Sequence, residues 1–258
     1  MRTLVLLSLL VGGSAGAAQA VDDAELAKYW SRDALHVPYR ALLTARPARG
    51  EHVPLVVFLH GDWQDGEDNE AQLDGYGNGS MQLIDQARKA GTPLLYIAPQ
   101  TTDGYWPPER VAAAIRDAVH TFPVDTQRIV ITGISDGGTG VWDTLKRYPK
   151  CFAAGVPMSG MTEPSGLRHI AQIPQWIFHG AEDDDTDIEW GYGGAQVGSR
   201  VIVRGLRAFG GAPKYTEYAG EKHVIWSRAY NEAELLPWIL AQRLPYPGCF
   251  VRRDRQDD

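Results

Sequence analysis

Ser135 lies between two glycines in the stretch "GISDGG" (133–138), directly after the β-branched run "RIVIT" and before a segment with helical character. A serine in a strand–turn–helix context is the arrangement of a nucleophile elbow, in which the helix start points backbone N–H groups toward the reacting atoms. Gly133 and Gly137 suit such a turn, because strand and helix pack too closely for side chains there. A second G-x-S-x-G, around Ser14, falls in an N-terminal segment with leader-peptide character and is dismissed.

A serine nucleophile needs a base, and three histidines follow Ser135 in the chain. His179 ends an apolar run in "IFHG" and is interpreted as a structural turn residue, whereas His169 lies in a helical or loop segment. His223 lies in "AGEKHVIW", a loop after the last predicted strand and before the last predicted helix. That is where the base belongs in the order serine, acid, histidine. We therefore expect His223 to be the base; the alternative is an exposed loop histidine.

The acid should follow the preceding strand, where the sequence reads "IFHGAEDDDTD". The candidates are Glu182, Asp183, Asp184, Asp185 and Asp187. Their types and spacing alone do not choose among them. Such a run can also form a solvated loop or bind a hard cation such as calcium, although the EF-hand spacing is absent.

Short apolar runs alternate with helical patterns along the chain. Strands are predicted at 54–61, 92–100, 128–135, 152–160, 174–180 and 214–220, and helices at 107–122, 138–148, 197–209 and 230–244. This alternation predicts an α/β fold with a mostly parallel central sheet and helices on both faces. The more polar segment 36–53 is predicted to form an antiparallel edge.

The N-terminal residues 1–20 combine a positive start at Arg2, a short apolar run and small residues before position 21. This pattern is typical of a secretory signal peptide cleaved after Ala20, because the apolar run is too short to span a bilayer. Residues 21–250 are then expected to form a single domain, and residues 251–258 a charged tail. We expect the protein to be secreted or periplasmic.

Charge and cysteine content bound the partners and the compartment. A net charge of −7 without a basic patch argues against a nucleic-acid partner. No later segment is long and apolar enough to span a membrane. Export would permit a disulfide between Cys151 and Cys249, but their spacing leaves a bridge and buried free thiols about equally open. The oligomeric state is left open as well.

Most of the mature chain resembles the carboxylesterase and predicted-peptidase branch of the α/β-hydrolases, which is related to poly(3-hydroxybutyrate) depolymerase-like and feruloyl esterase-like enzymes. The matching motifs are "PLVVFLHG", "YIAPQ", "VDTQRIVITGISDGGTGVWD", "RYPKCFAAGVPMSG", "QWIFHGAED" and "KYTEYAGEKHVIWSRAYNEAEL". The resemblance implies a catalytic triad of Ser135, His223 and Asp183, the aspartate of H-G-x-x-D. It also implies an oxyanion hole formed by the backbone N–H groups of Asp136 and Asp62, with Trp63 as the alternative to Asp62.

Three features depart from that branch. Asp136 follows the nucleophile where an uncharged residue is usual, and Asp62 follows the first "HG" where a small apolar residue is common. Inward-pointing carboxylates would oppose an oxyanion, so we expect both side chains to point away. The stretch 184–196 is longer than usual; it is a candidate rim over the site and leaves the acid in question. Candidate substrate-contacting aromatic residues are Trp63, Trp106 and Trp226, with Trp190 also near these loops; the alternative is local packing.

The residues and the resemblance together predict a secreted serine carboxylesterase that works through an acyl-enzyme, with no metal and no cofactor. Its substrate is expected to be a small-molecule or chain-end ester, because the chain is too short to carry a large lid or an added domain. Two alternatives stay open. One is a serine peptidase with the same triad, and the other is a non-catalytic binding protein in which Asp62 and Asp136 have spoiled the oxyanion hole.

Overall fold

The computed structural model of the protein describes residues 25–73, 79–102 and 104–251. The predicted signal peptide and Ser14 lie outside the described residues, and so does the predicted tail beyond Val251. Among the described residues, no helix is both long enough and apolar enough to cross a membrane.

One eight-stranded sheet organises the chain, in the order β1-β2-β4-β3-β5-β6-β7-β8. The strands are β1 (Ala27–Trp30), β2 (Pro38–Leu43), β3 (Val53–Leu59), β4 (Leu95–Pro99), β5 (Val124–Ile134), β6 (Ala154–Met158), β7 (Trp176–Gly180) and β8 (Lys214–Tyr218). Strands β3 to β8 run parallel, while β2 is antiparallel to both β1 and β4. The predicted parallel sheet and its antiparallel edge are both confirmed.

Helices cover both faces of the sheet. They are α1 (Met81–Lys89), α2 (Pro108–Thr121), α3 (Asp136–Arg147), α4 (Leu167–Ile170), α5 (Ser199–Ala208), α6 (Trp226–Tyr230) and α7 (Leu235–Ala241). Alternate residues of β3 explain why both faces are covered: Leu55 and Val57 join the core under α2, α3 and α5, whereas Val56 and Phe58 join the core under α1, α6 and α7. A strand buried on both faces reads as a continuous apolar run, which is the pattern of a central parallel strand.

The predicted helix 230–244 is wrong in its extent, because two short helices, α6 and α7, take its place. Pro237 gives the physical reason. Proline has no backbone N–H and is tolerated only in the first turn of a helix, and α7 begins two residues before it. The sequence predictions also lack α1 and β1.

Cys151 and Cys249 form a disulfide, which decides between the two alternatives that their spacing left open. The bridge ties the C-terminal segment to the loop after α3. The backbone N–H of Leu244 also donates to the carbonyl of Gln127 (2.9 Å), and Phe250 packs edge-on against Phe152. The last described residues are therefore part of the packed domain.

Candidate active site

The turn between β5 and α3 holds Ser135 in a strained conformation, with φ 53° and ψ −119°. A positive φ is disfavoured for a residue with a Cβ and marks a turn that its surroundings hold in place. Close packing supplies that constraint: a Cβ on Gly133 would collide with Gly137, and a Cβ on Gly137 would collide with the carbonyls of Leu59 and His60. The glycines on either side of Ser135 are therefore required by contact, as the sequence pattern indicated.

His223 lies in the loop after β8, and its Nε2 is 2.8 Å from Oγ of Ser135. Two neighbours hold this loop in place. The buried hydroxyl of Ser159 donates to the backbone carbonyl of His223 (2.9 Å), and the Trp226 ring meets the imidazole edge-on. Ser159 therefore holds the loop that carries His223, and its own hydroxyl is buried, whereas Ser135 lines the cleft.

Asp183, which follows β7, accepts a hydrogen bond from Nδ1 of His223 at 2.8 Å to Oδ2 and 3.0 Å to Oδ1. Its Oδ1 also accepts the backbone N–H groups of Asp185 (3.0 Å) and Thr186 (2.8 Å). Burial opposes ionisation, but the hydrogen bonds from His179 and His223 outweigh it and hold the pKa of Asp183 well below its usual range. An ionised carboxylate at Nδ1 leaves Nε2 of His223 available as the acceptor for a proton.

The other carboxylates of this loop do not contact His223. Asp184 pairs with Lys222, and Asp187 accepts the N–H groups of Glu189 and Trp190 (2.8 Å each). Of the five candidate acids, only Asp183 contacts His223 in the structure. The spacing of the residues in the sequence could not choose among the five.

His179 has a larger role than the turn residue inferred from the sequence. Its Nε2 lies 2.9 Å from Oδ2 of Asp183 and 2.8 Å from the carbonyl of Thr186, and its Nδ1 lies 2.6 Å from Oγ of Ser199. The available sequence signal was the spacing in H-G-x-x-D, which sets this histidine four residues before the carboxylate it contacts.

An open cleft of about 710 Å³ has Ser135 and His223 in its wall. The turn after β3 approaches Ser135 closely, since a Cβ on Gly61 would lie 3.2 Å from the Cβ of Ser135. Asp62 follows in that turn and lines the cleft, as does Asp136. Within the described part of the chain, neither the N–H of Asp62 nor that of Asp136 donates a hydrogen bond.

Two of the three predicted aromatic contacts line the cleft. Trp63 is 82% exposed and Trp226 is largely buried, and both contribute to the wall. The prediction for Trp106 is wrong: this side chain is buried, packs against the His60 ring, and donates from Nε1 to the His60 carbonyl (3.0 Å). Burying the indole with its N–H satisfied makes Trp106 a core residue that supports the β3 turn from below.

The long stretch 184–196 does border the cleft, through Asp184, Asp185, Thr186 and Tyr192. Tyr192 is exposed and was not anticipated, whereas Trp190 lies outside the wall. The extra length of this loop therefore supplies a rim of polar groups and one aromatic ring.

Three carboxylates converge beside the cleft. Oxygen atoms of Asp136, Asp65 and Asp62 lie 3.3, 3.7 and 3.9 Å from the place that a Cβ on Gly104 would occupy. Burial, followed by repulsion from Asp62 and Asp65, raises the pKa of Asp136 to about 6. Among the described residues, no group of three His, Cys, Asp or Glu side chains has an arrangement that could hold a metal ion.

The raised pKa of Asp136 has a consequence for stability. The pKa of this carboxyl rises from 3.8 in the unfolded chain to about 6 in the folded protein, so its ionisation destabilises the folded state. The full destabilisation is present above pH 6, and it disappears below pH 3.8, where the group is protonated in both states. We expect Asp136→Asn to raise the free energy of unfolding by about 1–2 kcal/mol at pH 8, after discounting for partial exposure. This corresponds to a Tm increase of roughly 2–8 °C that disappears by pH 4. Thermal unfolding of both proteins at the two pH values measures it, and an equal difference at both would contradict it.

This chain is similar to known esterases and peptidases. The model of the prolyl oligopeptidase family matches residues 95–192, less than half of the chain. A thermostable esterase of known structure is 28% identical, with a TM-score of 0.77 over 86% of this chain and 64% of its own. An acylaminoacyl peptidase, solved with Z-Gly-Gly-Phe-chloromethyl ketone, is 16% identical, with a TM-score of 0.61 over 85% of this chain and 41% of its own.

An uncharacterized secreted protein of Arthroderma benhamiae is 27% identical in an alignment of 164 residues, with a coverage of 46% of this chain and 17% of the relative. The chain thus spans less than two thirds of the length of each of these three proteins. The mostly parallel sheet, the Ser135 turn and the similarity to the esterase agree on one assignment. The chain has the α/β-hydrolase fold and is similar to the branch that contains both esterases and peptidases.

Proposed function

We propose that this protein is a serine hydrolase that cleaves carboxylic esters through an acyl-enzyme. The observation that carries the proposal is the chain of hydrogen bonds from Ser135 through His223 to Asp183 in the wall of an open cleft. The nucleophile, the base and the acid make the chain of contacts that serine hydrolases on unrelated folds share, and they follow one another along this chain in the α/β-hydrolase order serine, acid, histidine.

Acylation begins when Oγ of Ser135 attacks the ester carbonyl and Nε2 of His223 takes its proton. The carbonyl π electrons move to oxygen and form the tetrahedral intermediate. Asp183 stabilises the imidazolium and keeps the Nδ1–H directed toward itself. As the electrons return, the C–O bond to the alcohol breaks, and the imidazolium gives its proton to the departing oxygen.

Deacylation repeats these steps with water as the nucleophile. Water gives a proton to Nε2 of His223 as its oxygen attacks the acyl carbon. Collapse of the second tetrahedral intermediate breaks the bond to Oγ, which recovers the proton from His223. The carboxylic acid leaves, and the enzyme returns to its starting state.

The oxyanion hole is proposed to consist of the backbone N–H groups of Asp136 and Asp62, with Trp63 as the alternative to Asp62. Asp136 is the first residue of α3, so its N–H belongs to the set that a helix start leaves without an intrahelical acceptor. Asp62 lies in the turn whose Gly61 packs against Ser135. Donors fixed by the backbone in this way stabilise charge that develops in the transition state.

The substrate is proposed to be a small or chain-end ester with an apolar part. Trp63, Trp226 and Tyr192 border the cleft and offer ring surfaces to such a group. The similarity to a thermostable esterase supports the ester assignment. The match of residues 95–192 to the prolyl oligopeptidase family is the specific observation that favours the second candidate, a serine peptidase.

A matched pair of substrates separates the two candidates. Amide hydrolysis needs efficient protonation of the leaving amine and subsites that fix the peptide, which an open cleft provides less well. We expect the alkyl ester of a given acyl group to be hydrolysed with a kcat/KM at least about 1000-fold above that of the anilide, a difference of roughly 4 kcal/mol.

Both substrates are to be run with the wild type and with Ser135→Ala as the blank. Comparable kcat/KM values for ester and anilide would favour the peptidase. A complete lack of Ser135-dependent turnover, on aryl, feruloyl, acetyl-sugar and hydroxyalkanoate esters as well, would favour the non-catalytic binding protein.

We also propose that the protein works outside the cytoplasm. The support is the Cys151–Cys249 bridge, which forms in oxidising compartments, together with the leader-like sequence of residues 1–20. Mass spectrometry of protein recovered from the periplasm or medium of an expressing cell should give a mature N-terminus at Val21. Intact Met1 in that fraction would contradict cleavage.

A further inference from the structure

His179 and His223 both contact the carboxylate of Asp183, beneath the cleft. Oδ2 of Asp183 lies 2.8 Å from Nδ1 of His223 and 2.9 Å from Nε2 of His179. The side chains of His179 and Asp183 are fully buried, so water does not compete for these contacts. The carboxylate oxygen that serves the base is therefore also held from a second direction.

The neighbours of His179 fix which of its nitrogens carries the proton. Nε2 faces two acceptors, Oδ2 of Asp183 and the carbonyl of Thr186, so it must be an N–H donor. Nδ1 faces the hydroxyl of Ser199 at 2.6 Å, which can donate to it. An imidazole with its proton on Nε2 satisfies the contacts to Asp183 and Thr186, and its ring cannot flip without losing them.

We propose that His179 is a positioning residue, whose Nε2–H fixes the Asp183 carboxylate in the orientation that holds His223 toward Ser135. This inference rests on the proposed function of the Ser135 site. Without the His179 donor, Oδ1 would still accept the N–H groups of Asp185 and Thr186. Oδ2 would keep one partner, and rotation about the Cβ–Cγ bond would move the His223 contact.

The test compares two substitutions at this position. His179→Leu removes the N–H donor and puts an apolar side chain of similar size in the place of the ring. His179→Gln places an amide N–H near the position of Nε2. We expect His179→Leu to lower kcat on an ester by roughly 10- to 100-fold with little change in KM, because a small misplacement of the base has this order of effect. His179→Gln should restore kcat to within about fivefold of the wild type.

The rate at which a fluorophosphonate labels Ser135 measures activation of the nucleophile and does not require a known substrate. We expect this rate to fall in His179→Leu and to recover in His179→Gln. His169→Leu, at an exposed histidine of α4, is the matched control and should label at the wild-type rate. Thermal unfolding of each variant shows whether it is folded. Wild-type labelling by a folded His179→Leu protein would overturn the inference while leaving the proposed function intact.

A third measurement does not depend on activity. The Nδ1 proton of His223, held between the imidazole and Asp183, should give a far-downfield proton NMR resonance in the wild type. His179→Leu should shift or broaden this resonance, and His179→Gln should return it. If the wild type does not label, the proposed function fails, and this resonance still decides the role of His179: no change in His179→Leu overturns it.

Discussion

Ser135→Ala is expected to lower kcat/KM on every ester that the protein hydrolyses by roughly 10⁴- to 10⁶-fold. The hydroxyl oxygen is the only heavy atom removed, and without it the covalent bond of the acyl-enzyme cannot form. A covalent fluorophosphonate adduct should appear on Ser135 in the wild type and be absent from the variant. Intact-protein mass spectrometry and peptide mapping detect the adduct directly.

Ser165→Ala, at an exposed serine in the loop before α4, is the control for this substitution and should label fully. Circular dichroism and thermal unfolding establish that Ser135→Ala is folded. An adduct on Ser159, or unchanged ester turnover by Ser135→Ala, would show that the nucleophile is another group.

Asp183→Asn is expected to lower kcat by about 10⁴-fold. In the wild type, Oδ1 accepts two backbone N–H groups while Oδ2 accepts from His223 and His179. An asparagine has one acceptor oxygen, and the fixed backbone donors favour it at the Oδ1 position. The amide NH₂ then faces both imidazoles, and His223 must turn its Nδ1 into an acceptor. Its proton moves to Nε2, where it blocks the uptake of the Ser135 proton.

Asp184→Asn is the matched control, since Asp184 is exposed and pairs with Lys222. We expect that variant to retain kcat to within about threefold. The kcat values of both variants on one ester, with their Tm values, make the comparison. A larger loss in Asp184→Asn than in Asp183→Asn would show that another carboxylate serves the base.

The parallel sheet and the Ser135 turn could be predicted because local pattern dictates them. Strands buried on both faces leave continuous apolar runs, such as "LVVFL" in β3, and a turn with no room for side chains leaves glycines at fixed positions. The acid could not be chosen from the residues alone, because five carboxylates in one loop have the same chemistry. Only the family resemblance separated Asp183 from its neighbours.

The predictions for Trp106 and His179 missed contacts that form only in the folded protein. Trp106 follows a strand and precedes a helix, as a cleft residue would, but its side chain turns under the β3 loop, where the His60 carbonyl satisfies its N–H. The contact between His179 and Asp183 joins two side chains four residues apart across a turn, and its geometry depends on Ser199 from α5. The spacing in H-G-x-x-D sets His179 near Asp183, but it does not reveal the contact with Ser199, which belongs to a separate element.

The Cys151–Cys249 bridge closes a covalent ring that contains β6, β7 and β8, and therefore both Asp183 and His223, but not Ser135. The two cysteines are 98 residues apart. In the chain-entropy model, a ring of that size lowers the conformational entropy of the unfolded state and so raises the free energy of unfolding by about 4–5 kcal/mol. The denaturant midpoint measured with and without reductant reports this difference. When the oxidised chain unfolds, acid and base stay tethered in one ring, and refolding of the site requires the nucleophile strand, β5, to dock against it.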